Sequence, residues 1–240
     1  MIDERAIVSK SAKIAEDVTV GPYAIIGDKV EIGSGSSIGP HAVIDGRTKI
    51  GKNNQIFQFA SIGAIPQDLK YKDEDTSLEI GDNNTFREFC TVNIGTEQGG
   101  GVTKLGNNNL VMNYVHIAHD CIIGNNVILS NYTGLAGHVI VDDHVISGGF
   151  AKVAQFTRVG AYSFLVGNVD VGKDILPYVI VGGSVDHVKL YGLNLIGLKR
   201  HGFSEEVINI RYEDGTKDFI DISRGSKWGN PFKIGALEIL

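Results

Sequence analysis

Three titratable side chains fall close together in the stretch VHIAHDC, Val115 to Cys121: His116, His119 and Asp120. Histidine is the side chain whose unperturbed pKa lets it exchange a proton near neutral pH. An acid beside it suits general-base chemistry, substrate binding or, with further ligands, metal coordination. A bland alternative also exists, in which the histidines are spacers bonded to backbone. The elements that carry these residues decide between them.

Those elements come from a six-residue period. From Ile2 an aliphatic recurs at Val8, Ile14, Val20, Ile26, Ile32, Ile38, Ile44, Ile50, Ile56 and Ile62. The phase resumes at Ile80, Phe86 and Val92 and then slips by one. A second run goes from Leu105 through Val111, Ile117, Ile123, Leu129, Leu135 and Val141, misses at Ser147, and continues to Val171. Only 42% of the residues are hydrophobic, so chance does not produce such runs. Neither helix nor simple strand has this period, whereas hexapeptide repeats do: each hexad is a short strand plus a turn on one side of a parallel β-helix. The expected fold is an all-β solenoid, a left-handed parallel β-helix over residues 1–176. Glycines after the aliphatic, as at Gly21, Gly27, Gly33, Gly39, Gly51 and Gly63, suit tight corners.

Three hexads make one coil, so residue i lies near residue i+18. His119 then has Gly137 one coil on and Gln155 two coils on, and Asp120 has His138 beside it. Consecutive strand residues point to opposite faces, so His119 and Asp120 cooperate only across a corner. Two stretches leave the repeat, AIPQDLKYKDEDTSLE (64–79) and IGTEQGGGVTK (94–104). Long loops on a rigid scaffold commonly carry function, though a subunit-packing flap is the plain alternative. After Pro177 the period ends. Residues 177–240 read as a C-terminal cap of two short helices, the second N-capped by Ser204 before Glu205 and Glu206, followed by an irregular tail.

Composition narrows the function. The 240 residues carry a net charge of −6, and the one basic cluster is Lys199-Arg200-His201, which argues against nucleic acid. No apolar run is long enough to cross a bilayer. The N-terminal residues lack a signal-peptide core, and Cys90 and Cys121 lack metal-ligand spacing, so a cytoplasmic protein with buried thiols is expected. Zinc would need three neutral histidines and a second shell that the sequence does not identify, so no metal is expected.

The run NYVHIAHDCIIGNNVILSNYTGLAGHVIVDDHVISGG, with IGAIPQDLKY and GTEQGGGVTKLG before it and GLKRHGF after it, resembles the acyl-carrier-protein–UDP-N-acetylglucosamine O-acyltransferase family. That family opens lipid A synthesis in Gram-negative bacteria. The likeness covers residues 1 to about 207. It implies that His119 is the general base, Asp120 the acid beside it and Gly149 the oxyanion-stabilising amide. It implies that Lys70, Gln67, Asp68, His116 and His138 line the substrate pocket, beside which the coil step also places Gln155. Gly167 falls where acyl length is measured, and Asn194 and Arg200 where the nucleotide sugar is contacted. It further implies a homotrimer with sites between subunits, an acyl-carrier-protein donor, a UDP-amino-sugar acceptor and no cofactor, the acyl thioester being a co-substrate.

Four positions depart from the family pattern: Ala154, Asn93, Ile196 and His201. The first two stand where histidines are usual, Ile196 where a glutamate is expected, and His201 where a second arginine is. Two alternatives therefore stay open, an N-acyltransferase on a related nucleotide amino sugar and a non-catalytic trimeric binding module.

Overall fold

A computed structural model of the chain describes residues 1–184 and 187–204. Residues 1–193 form one compact unit, a left-handed parallel β-helix whose strands cycle among three sheets. We call these face one, with nine strands from Ile7–Val8 to Asp170–Val171; face two, with eight from Lys13–Ile14 to Arg158–Val159; and face three, which starts at Thr19–Val20. Most strands are two residues long. The second residue points inward and is buried, as at Ile26, Ile44, Ile62 and Ile117, while the first faces out. Fully burying one such side chain is worth about 1.5–3 kcal/mol, and the repeat stacks it on its equivalents coil after coil.

Ser147, the one break in the second aliphatic run, also points inward. Its hydroxyl lies 2.8 Å from the Thr133 hydroxyl and accepts from Ser130 N at 3.2 Å, so the buried polar group is paired. A second internal polar feature is an asparagine ladder. The Asn84 amide N donates to Asn54 Oδ1 at 2.9 Å, Asn109 N donates to Asn84 Oδ1 at 2.9 Å, and Val127 N donates to Asn109 Oδ1 at 2.7 Å.

The corners correct one expectation. Their left-handed backbone is carried by residues with side chains, among them Tyr23, Phe59, Asn83, Tyr114 and Tyr132, all with φ near +60°. Among the named glycines after the aliphatic, Gly63 is left-handed, φ +85°, whereas the others serve close approach between coils: a Cβ at Gly33 would lie 2.6 Å from Gly51 O. The left-handed side chains between faces three and one stack ring on ring from Tyr23 to Phe150, with centroids 4.6–5.2 Å apart.

The excursions explain the phase of the repeat. Regular coils step by 18 residues, as in Ile7↔Ile25 and His116↔Gly134. The pairing Ser61↔Thr91 spans 30 and Thr91↔His116 spans 25. The excesses over 18 are thus 12 and 7. Twelve is two hexads, so the period survives the first loop; seven is one hexad plus one residue, which produces the slip. Both loops leave face one, after Ser61–Ala64 and Thr91–Asn93, and re-enter face two at Ser77–Ile80 and Val102–Leu105.

The C-terminal expectation needs a larger correction. In place of a helix after Pro177, Val179–Ser184 joins face three in parallel beside Phe164–Leu165, and His187–Leu193 pairs with it antiparallel. Spaced apolar residues there follow strand alternation, with Val179 and Val181 buried and Tyr191 exposed. The second compact unit begins at Asn194; its one described helix is Leu195–Arg200. The helix expected after Ser204 and the tail lie outside the described residues. Among the described residues, no helix is long and apolar enough to cross a membrane.

Candidate active site

Residues 118–121 form the corner between His116–Ile117 and Ile122–Ile123. On the two preceding coils this same corner is where the excursions leave, so the histidine corner is the first regular one beyond both loops. Asp120 takes a left-handed conformation there, φ +60°, and the chain turns between it and His119. The corner that their cooperation requires is present.

His119 Nδ1 lies 2.8 Å from Asp120 Oδ2, and both residues are buried. An ionised carboxylate has no donor of its own, so a neutral ring in this contact carries its proton on Nδ1 and keeps a lone pair on Nε2. Thr96 donates to the same carboxylate twice, from its amide to Oδ1 at 2.8 Å and from its hydroxyl to Oδ2 at 2.6 Å. Thr103 Oγ1 accepts the Asp120 amide proton at 2.8 Å. One coil on, Gly137 lies against the His119 ring. An imidazole oriented in this way can remove a proton from a group approaching Nε2.

His138 stands beside the pair, as the coil step requires. Its ring meets His119 edge-on at 5.1 Å and stacks on Phe156 at 4.4 Å, and its Nδ1 is 3.7 Å from Asp120 Oδ2. His116 projects from face one with Nδ1 2.7 Å from Thr91 Oγ1, and Gly134 beyond it leaves open space. Burial lowers the basicity of both histidines. The neighbouring His119 adds to this at both, whereas Asp120 and Asp68 oppose it at His138.

The first excursion brings Asp68 within electrostatic reach of His138. The Asp68 carboxylate accepts from Lys70 N at 2.9 Å, and the side chains of Gln67 and Lys70 are exposed. Gln155 is exposed two coils beyond His119. Asn93 is buried and donates to the carbonyls of Ala64 and Ile65 at 3.3 and 3.0 Å, tying down the root of that loop.

Gly149 and Gly167 are not gathered with these residues in one chain. They stack on each other at the corner between faces three and one, where a Cβ at Gly167 would lie 3.4 Å from Gly149 O. That corner precedes the face-one strands, whereas the His119 corner follows them. Asn194 and Arg200 belong to the second unit, where Asn194 Oδ1 caps the short helix by accepting from Gly197 N at 3.1 Å and Arg200 is exposed.

Thr96, Gly99 and Thr103 escaped the sequence reading. They sit in or beside the second excursion, out of hexad phase, and the quoted motif GTEQGGGVT was the only signal for them. The ligand atoms of His119, Asp120 and His138 lie within 4.8 Å of one another, a spacing that suits a cation. Asp120 Oδ2, however, already accepts from His119 and Thr96, which engages the oxygen such an ion would need.

A bacterial transferase hexapeptide (six repeats) family profile matches residues 11–46 and 103–137, and one for Udp N-acetylglucosamine O-acyltransferase, domain 2, matches residues 174–211. Acyl-carrier-protein–UDP-N-acetylglucosamine O-acyltransferases are similar to this chain. The one from Paracidovorax citrulli is 58% identical over 85% of this chain and 78% of its own length. The one from Thiobacillus denitrificans is 51% identical over 87% and 80%. The crystal structure of Francisella novicida UDP-N-acetylglucosamine acyltransferase superposes with a TM-score of 0.84 at 46% identity, covering 87% of this chain and 76% of that one.

Proposed function

Because the chain belongs to the family of acyl-carrier-protein–UDP-N-acetylglucosamine O-acyltransferases, we propose that His119 is the base of its reaction, steadied by Asp120. The enzyme transfers an acyl group from an acyl-carrier-protein thioester to the 3-hydroxyl of UDP-N-acetylglucosamine. A thioester is already activated, so the chemistry calls for a base and an oxyanion donor rather than a nucleophilic side chain or a cofactor. His119 Nε2 takes the hydroxyl proton as the oxygen attacks the thioester carbonyl. A C–O bond forms, the C–S bond breaks, and the sulfur leaves with the proton returned from Nε2.

The observation that carries this reading is the 2.8 Å bond between His119 Nδ1 and Asp120 Oδ2, which leaves Nε2 as the acceptor. His116, His138, Gln67, Asp68, Lys70 and Gln155 hold the sugar and its diphosphate, Lys70 as a point charge. Gly149 supplies the oxyanion amide and Gly167 limits the acyl chain; Asn194 and Arg200 contact the nucleotide. Gly149 and His119 lie on different corners of one chain, which supports a homotrimer whose sites combine corners from two protomers. The enzyme acts in the cytoplasm.

The test is an assay of purified protein with labelled UDP-N-acetylglucosamine and a panel of carrier-protein and coenzyme A thioesters, beside His119→Ala. The variant is expected to lose about 10²–10⁴-fold in turnover. Full activity in the variant, or no product from the wild type with any donor, overturns the reading.

A further inference from the structure

The Asp120 carboxylate is held from behind by a loop that lies outside the repeat. We infer that Thr96 is a positioning residue for the His119–Asp120 pair, its amide and hydroxyl fixing the carboxylate so that His119 keeps Nε2 free for the acceptor hydroxyl. The inference rests on the acyl-transfer reading only in taking His119 as the base.

A wholly buried carboxylate is costly unless it is hydrogen-bonded, and Thr96 supplies one bond to each oxygen, at 2.8 and 2.6 Å. A hydroxyl has one proton. Thr96 Oγ1 accepts from Gly99 N at 3.2 Å, which occupies its acceptor side and leaves the proton for Asp120. The loop backbone lies flat on the acid at Gly99, where any Cβ would collide with the carboxylate. Thr103 holds the Asp120 amide from the other side and keeps the corner in its left-handed conformation. Carboxylate, corner and loop thus form one unit, through which the second excursion aims the imidazole.

Nitrogen NMR of isotope-labelled histidine reads which ring nitrogen of His119 is protonated. The wild type is expected to show the Nδ1–H tautomer. Thr96→Val is expected to give a mixture of tautomers and a kcat lower by about 10- to 100-fold. The KM for the nucleotide sugar should stay within about twofold. Thr96→Ser keeps the hydroxyl and should restore both tautomer and rate. Gly99→Ala crowds the carboxylate while leaving Thr96 in place, and should disturb the tautomer in the same way. Thr96→Val and Gly99→Ala that both retain the wild-type tautomer overturn the inference, even if they lower the melting temperature. So does a Thr96→Val loss that Thr96→Ser fails to restore. A wild type inactive on every UDP-sugar would sink the acyl-transfer reading instead, and the tautomer would still decide the role of Thr96.

Discussion

The His119 ring occupies the space that a side chain at position 137 would fill: an ideal Cβ on Gly137 would lie 2.6 Å from Cε1 and 2.8 Å from Nε2. The backbone at Gly137 lies outside the left-handed region, so alanine is conformationally acceptable there and only the ring must move. If His119 is the base proposed above, Gly137→Ala is therefore expected to cost about 10²-fold or more in kcat by misplacing its ring. Its melting temperature should stay close to that of the wild type. Gly134→Ala, with open space around its Cβ, should fold with unchanged stability. An active Gly137→Ala would show that Nε2 need not hold its present position.

The asparagine ladder should behave as a cooperative strut. Asn84 is fully buried, donates to Asn54 Oδ1 at 3.0 Å and to Gly106 O at 3.0 Å, and accepts from Asn109 N at 2.9 Å. Asn84→Ala strands Gly106 O and Asn109 N, while Asn54 Oδ1 keeps the backbone N–H of residue 84, at about 1–3 kcal/mol for each buried group left unsatisfied. Urea unfolding should show a loss of about 3 kcal/mol or more. A loss below about 1 kcal/mol would mean that water replaces the amide.

Acid should weaken the fold before the carboxylates titrate. In an unfolded chain histidine takes up its proton near pH 6.5, and burial holds His116 and His138 below that value in the folded protein. In the interval between, the unfolded chain binds more protons, so stability falls with falling pH. The contribution is fully present above the unfolded value and is lost as pH drops through the folded ones. The urea midpoint should decline between about pH 7.5 and about 5.5, and His116→Gln should flatten that decline. An equal slope in the variant would assign the effect to other groups.

Both thiols should be inert in the native state. Burial pushes Cys90 and Cys121 up to about 12, and each side chain sits in the core. Thiolate is the reactive form, so alkylation near neutral pH should track unfolding in denaturant. Modification of the native protein at the rate of free cysteine would contradict the buried placement.

The period of six was enough to specify much of this protein, because one buried aliphatic per hexad can be satisfied in a solenoid and in neither a regular helix nor a simple sheet. Chain arithmetic then put Gly137 beside His119 and His138 beside Asp120, since each coil fixes its neighbour 18 residues away. The same arithmetic was silent wherever the chain left the repeat. Nothing local marks Thr96 as the partner of Asp120, because a loop returns to the solenoid by long-range packing rather than by phase. Strand pairing beside Phe164–Leu165 likewise recruited Val179–Ser184 and His187–Leu193 into face three, although the spacing of their apolar residues also suited helices. Most of the corner glycines show the same limit: their composition suggested backbone freedom, which Gly63 uses, but only coil-to-coil distance revealed that the others make room for the next turn. Sequence placed His119 and its coil; tertiary structure decided what holds its ring, because those contacts join residues that no period connects.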